Sequence, residues 1–330
     1  MTQATAHLTR IVSFEQLGEV IVGVRREITQ LEHGAVQGEL FQGAISGLDL
    51  SLVTFNRGVR SRGATDKSKT TFSILLDCKR RATRSSYESG AGDVLVSPPG
   101  GENENRYYGG ATVLAMCMSA AEIEVAFGPA TQLGEPENWR KSHYKGSTDT
   151  IKHRLPWLRS FVARLGRKDL SLTPEAAEFW KLAAIEAVTS DIGQSAPSHR
   201  DGPLPSALKV VRQAEECLDA RPNAPVHVIQ ICNQLRVSRR TLHRAFHEAL
   251  GIGPIAFSRY RRLCAAHTAI RTGLLGNMTI SEVAVEHGFL NEGRFAHYYH
   301  QLFGEYPSET RLPPRAPSPA ATNSSLAFLN

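Results

Sequence analysis

Two stretches of this chain repeat one another, and that repeat limits the possible folds more than any other feature. Leu242, Phe246 and Leu250 step by four and are followed by Gly251 and Pro254. Phe295, Tyr299 and Phe303 do the same 53 residues later, followed by Gly304 and Pro307. A step of four puts side chains on one face of an α-helix. A glycine just past the last apolar residue is a common helix stop.

A shorter amphipathic helix precedes each copy. The first carries Val228, Ile231, Cys232 and Leu235; the second carries Ile280, Val283, Ala284 and His287. Ser238 and Asn291 stand where the following helices need N-caps. Two short helices joined by a tight turn make a helix-turn-helix, and the chain holds this plan twice. The small Cys232 and Ala284 let the second helix cross closely. Gly288 suits the left-handed residue of the turn. Arg236 holds the matching place in the first copy, where a non-glycine costs roughly 1 kcal/mol. Pro254 opens a long helix, Ile255–Thr272, that joins the two units. A plain helical bundle would also show apolar stripes, but it has no need for the same order of cap, stripe, glycine and proline twice.

A length of 330 residues allows two domains. A net charge of +6 suits a polyanionic partner. Apolar runs such as Val113–Met118 are far shorter than the roughly 20 residues a bilayer span needs. The polar start Met1–Thr9 lacks a signal-peptide pattern. The expected location is the cytoplasm, with no membrane partner. The five cysteines form no CxxC pair, so neither a disulfide framework nor a zinc site is expected. His297 and His300 have no third ligand nearby. No nucleophile elbow and no phosphate-cradling glycine loop is present. No catalytic residue, cofactor or metal is therefore expected, and the chain does not read as an enzyme.

Residues from about Ile11 to Phe127 read mostly as short strands, among them Val20–Val24, Asp49–Phe55, Phe72–Cys78, Val94–Ser97 and Thr112–Met118. Gly100–Asn105 reads as a polar surface turn. Pro156–Leu165 and Pro174–Asp191 read as helices, the second with a stripe of Ala176, Phe179, Trp180, Ala183, Ala184 and Ala187. Such a segment either covers the sheet or pairs with a second copy of itself. The expected domains are a β domain over 1–150, a helical segment over 151–192 that is the candidate for dimerisation, a linker over 193–205, a helical domain over 206–312 and a disordered tail over 313–330.

The stretch Ser238–Pro254 (SRRTLHRAFHEALGIGP) resembles the first half of the DNA-binding domain of AraC/XylS regulators. Ile280–Arg311 is similar to the second half, with its signature at Gly288-Phe289, Phe295, Phe303-Gly304 and Tyr306-Pro307-Ser308. The resemblance covers roughly Leu208–Leu312. It implies an α+β multidomain chain: an N-terminal cupin-like β-barrel or jelly roll with a helical segment, then an all-α domain with two helix-turn-helix units. It also implies double-stranded DNA as partner, with one helix of each unit in the major groove. Arg240, Thr241, His243 and Arg244 fall where family members meet bases or nearby phosphates, and Arg239 shares their exposed face. In the second unit that face carries Glu292, Arg294, His297 and Gln301. Gly293 and His297 depart from the serine and arginine usual there, so the second unit is expected to act mainly on phosphates.

Gly92–Gly100 is similar to the second cupin motif, but the residue that would be a metal-binding histidine is Asn103. The family analogy implies a small-molecule effector entering the barrel, a homodimer formed through the N-terminal half, and RNA polymerase as partner if the chain activates. The competing reading is an architectural DNA binder without an effector.

Overall fold

The alternating runs of the N-terminal half pair into two antiparallel sheets. The computed structural model describes residues 5–19, 24–80, 82–85, 87–128, 143–167, 170–192, 206–220, 227–273 and 278–310. The expected linker at 193–205 and tail at 313–330 lie outside these, as does most of the expected strand Val20–Val24.

The strands in chain order are β1 (Thr5–Ile11), β2 (Glu27–Gln30), β3 (Gly38–Ile45), β4 (Leu48–Phe55), β5 (Val59–Ala64), β6 (Thr70–Cys78), β7 (Ala82–Arg84), β8 (Tyr87–Ser89), β9 (Val94–Ser97), β10 (Glu102–Tyr107), β11 (Ala111–Met118) and β12 (His143–Tyr144). A 3-10 turn, Phe14–Glu19, follows β1. The larger sheet runs β1-β3-β4-β11-β6-β9-β12, and the smaller runs β2-β5-β10-β7-β8.

Alternation sorts the side chains between two faces. Leu48, Leu50 and Leu52 of β4, with Leu114 and Met116 of β11, point outward into a core shared with three helices. Val53, Phe55, Leu75 and Val113 point inward against Val59, Ala82 and Tyr107 of the smaller sheet. Phe55 meets Tyr107 edge to face at 5.4 Å, the orientation an aromatic quadrupole favours.

The expected surface turn Gly100–Asn105 is corrected: Glu102–Asn105 belong to β10, paired with β5 from Glu102↔Ala64 onward. The strand escapes a hydrophobic pattern because both its faces carry polar residues. Arg106 is buried and Glu104 half-buried on the outer face.

The helices of this half are α1 (Ala120–Phe127), α2 (Leu155–Leu165) and α3 (Pro174–Thr189). Thr173 caps α3, accepting from Ala176 N, and Pro174 stands at its first position. The buried face of α3 is Ala177, Ala184, Ile185 and Val188, rotated from the expected stripe. Phe179 is 69% exposed. Alanines on several faces made the stripe ambiguous; the larger sheet selects the one that fits it.

The C-terminal half is helical: α4 (Ser206–Asp219), α5 (Val228–Leu235), α6 (Arg239–Leu250), α7 (Pro254–Thr272), α8 (Ile280–Glu286), α9 (Glu292–Phe303) and α10 (Pro307–Thr310). The first unit packs a core around Leu242, Phe246 and Phe257. The second packs around Phe295, Tyr299 and Phe303, and this core is continuous with the interior of the β domain. Phe14 stacks on Phe303 at 5.6 Å across the junction. α7 gives Phe257 to the first core and Leu263, Ala266 and Ile270 to the second. Among the described residues no helix is long and apolar enough to cross a membrane.

Candidate nucleic-acid interface

The two turns are built alike. In the first unit Arg236 adopts the left-handed conformation (φ 51°), and Val237 N donates to Cys232 O at 3.1 Å. In the second, Gly288 (φ 74°) takes that place and Phe289 N donates to Ala284 O at 2.8 Å. The carbonyls left free at the end of each first helix are thereby bonded. Ser238 accepts from Thr241 N at 3.0 Å and Asn291 accepts from Arg294 N at 2.8 Å, so both expected caps form.

The copies differ by one residue. The turn glycine follows Arg236 by 52 positions, whereas Asn291 follows Ser238 by 53. The extra residue falls in the second turn, next to Leu290, which is 89% exposed. Arg262 of α7 braces this longer turn. Its guanidinium donates to Gly288 O at 2.7 Å and His287 O at 3.3 Å and lies 4.5 Å over the Phe289 ring. Spacing patterns could not single out Arg262, because its partners lie on another helix.

Burial of Leu242, Ala245, Phe246 and Ala249 turns the other face of α6 outward. Arg239, Arg240 and Arg244 are exposed there, and Thr241 and His243 half-buried. Among the described residues none of the three arginines is in an ion pair. Three cations within two turns of a helix N-terminus, itself partially positive, make a strong anion-attracting end. On α9, Glu292, Arg294, His297 and Gln301 are all exposed. Glu292 sits in the first turn and offsets the cationic field there. Arg259 of α7 lies 4.1 Å over the Tyr298 ring, adding a cation beside α9 that the sequence reading did not single out. Among the described residues no cluster of three potential metal ligands occurs.

The β domain packs on the helical domain through α4 and α7. Arg60 of β5 contacts Glu215 of α4 at 2.5 Å and Glu104 at 2.7 Å. His267 of α7 bonds Glu15 at 2.6 Å and Glu305 at 3.2 Å. The exposed faces of α6 and α9 take no part in these contacts.

The helical domain and the chain as a whole have similar counterparts among known proteins. A family model described as a helix-turn-helix domain matches residues 231–312. The XylDLEGF operon transcriptional activator 1 of Pseudomonas putida is 23% identical over 288 residues, covering 84% of this chain and 85% of that protein. A "Probable thc operon regulatory protein" of Rhodococcus erythropolis is 34% identical over 107 residues, 32% of either chain. Among solved structures, a probable AraC family transcriptional regulator from Rhodopseudomonas palustris is 35% identical, with a TM-score of 0.30, covering 31% of this chain and 94% of that one. The AraC-like transcriptional activator CuxR is 13% identical with a TM-score of 0.43, covering 80% of this chain and 96% of that one. Residues 231–312 are thus a helix-turn-helix domain, and over most of its length the chain is similar to a transcriptional activator of the AraC/XylS type.

Proposed function

We propose that the chain is a sequence-specific, ligand-responsive activator that reads two successive major grooves with α6 and α9. The observation that carries this reading is the twice-built turn and cap, which leaves the N-terminal face of each second helix free. Arg240 and Arg244 supply forked donors that suit guanine O6 and N7. Arg239, Thr241 and His243 flank them as base or phosphate contacts. On α9 the exposed set Glu292, Arg294, His297 and Gln301 holds a single arginine, which favours phosphate contact over base reading there.

The effector is the second element of the proposal. Apolar side chains fill the space between the two sheets. A cavity of about 670 Å³ opens instead at the domain junction, between the turn Phe14–Glu19, β2 and α7. Its wall includes Arg25, Arg26, Arg261, Arg262 and Arg271 against Glu15, Glu19 and Glu27, which favours an anionic molecule. Homodimerisation through the N-terminal half is supported by Phe179 and Leu182, exposed side by side on α3. RNA polymerase is the partner an activator requires.

Selection of bound duplexes from random DNA at physiological salt tests the reading. The expected result is one motif with two half-sites about 34 Å apart, one helical turn. A pool without enriched sequence would favour the architectural alternative.

A further inference from the structure

The β domain holds both recognition helices by the same atom. Tyr108 Oη donates to Ala249 O of α6 at 2.6 Å, and Arg106 Nη1 donates to it at 3.4 Å. Gln30 Nε2 donates to Leu302 O of α9 at 2.6 Å, and Gly34 N donates to it at 3.0 Å. Ala249 and Leu302 are the penultimate residues of their helices and lie 53 positions apart. They are therefore equivalent positions of the repeat. Each carbonyl is among the last four of its helix and has no partner within it. The helix-stopping glycines face the same way: Gly251 lies beside Tyr108, and a Cβ on Gly304 would stand 3.1 Å from Ala35 N.

One row of the smaller sheet connects the two attachments: Gln30 stands at one end of it, and Tyr108 directly follows Tyr107 at the other. Val59 of β5 pairs with Tyr107 on one side and with Gln30 on the other. Strands lie about 4.8 Å apart, so about 10 Å of hydrogen-bonded sheet separates Gln30 from Tyr107, and Tyr108 is the next residue. Without the sheet, the two units meet through α7, which packs on both. A single helix allows twist and bend between the domains it joins; a second, rigid attachment at each recognition helix removes that freedom.

We infer that the smaller sheet is the gauge that sets the spacing and angle of the two recognition helices. Tyr108 and Gln30 are its positioning residues, and the spacing they impose determines which half-site separation the protein accepts. Neither residue touches DNA in this scheme: they act at the C-terminal ends of α6 and α9, 12 residues each, and the reading faces lie toward the N-termini. The inference rests on the proposal that both helices read DNA.

The test uses the full chain and duplexes carrying the selected motif, with the half-sites moved apart or together by one and two base pairs. The wild type should lose about tenfold or more in affinity at a two-base-pair shift, a loss comparable to one or more mismatched pairs. Tyr108→Phe removes the shorter of the two bonds to Ala249 O and leaves that of Arg106; Gln30→Ala removes the side-chain donor to Leu302 O and leaves Gly34 N. Each should flatten the spacing profile, and the double variant should bring the loss below about threefold while keeping the base preference within each half-site. Because Tyr108→Phe is nearly isosteric, it keeps the test valid if Gln30→Ala unfolds. A spacing profile unchanged in both variants overturns the inference alone. Tighter binding of every duplex with the same profile also overturns it, since that describes a brake rather than a gauge. A wild type that recognises no second half-site overturns both the inference and the reading beneath it.

Discussion

Arg60 and Glu215 form an ion pair at 2.5 Å across the domain junction, with 2% and 1% of their side chains exposed. Glu104 bonds the same guanidinium and is itself shared with Arg106. Burial pushes the Glu215 carboxyl up to about 7, against the pull of Arg60. The pair is buried beyond the screening of water, and the cost of burying the Glu215 charge outweighs the attraction of Arg60.

Removing one partner of such a pair leaves the other buried without compensation. Arg60→Met should cost about 3 kcal/mol at pH 8, where Glu215 is ionised. The cost should shrink at pH 6, because a protonated Glu215 needs no counter-charge. The double variant Arg60→Met/Glu215→Leu should recover most of the loss. Urea unfolding at both pH values measures this; equal costs at pH 6 and pH 8 would show that Glu215 does not titrate in this range.

The junction should also tighten as pH falls toward 6.5. Burial alone would lower His267, but hydrogen bonds to Glu15 and Glu305 outweigh it and raise the imidazole above its ordinary 6.5. A base with a raised folded pKa contributes stability that is complete below 6.5 and lost as pH rises through the folded value. Glu215 acts in the same direction, losing its share as pH climbs from 4.5 to about 7. Glu305, lowered from 4.5 chiefly by His267, opposes this in acid. Docking should therefore be strongest near pH 4.5, weaken as Glu215 loses its share up to about 7, and weaken further as His267 deprotonates above 6.5. Limited proteolysis between the halves across pH 5–9 reads it, and His267→Gln should flatten the alkaline arm.

Arg240→Ala should weaken binding to the selected sequence by about 1–3 kcal/mol, with little change on random DNA. Competition titrations against both DNAs check this; an equal loss on each would assign Arg240 to phosphate.

The two turns offer a matched pair of backbone tests. Arg236 holds φ 51° without being glycine, so Arg236→Gly should lose little stability or gain up to about 1 kcal/mol. Gly288, at φ 74°, should lose about 1 kcal/mol on replacement by alanine. Thermal melting of both variants compares the signs directly.

The helix-turn-helix units were legible because every feature that builds them is local. A cap and its N–H are three residues apart, as in Ser238 and Thr241, and an apolar stripe repeats every third or fourth position. The exposed arginines of α6 followed from the buried Leu242 and Phe246, since the opposite face of a helix must meet solvent. Where residues on one element satisfied several patterns, as the alanines of α3 did, the face could not be chosen. The polar strand β10 was hidden for a related reason, since a buried surface of charges looks like a loop until its partners are known.

What the sequence determined by itself is therefore the repeat, its caps and the face that each recognition helix presents, all set by contacts within a few residues. Tertiary structure alone decided that one sheet would grip both helices. Arg60 and Glu215 lie 155 residues apart, and Gln30 and Leu302 lie 272 apart. Nothing in the neighbourhood of any of these residues marks its partner; only the closing of two cores against each other brings their donors and acceptors together and takes away the water that would otherwise satisfy them.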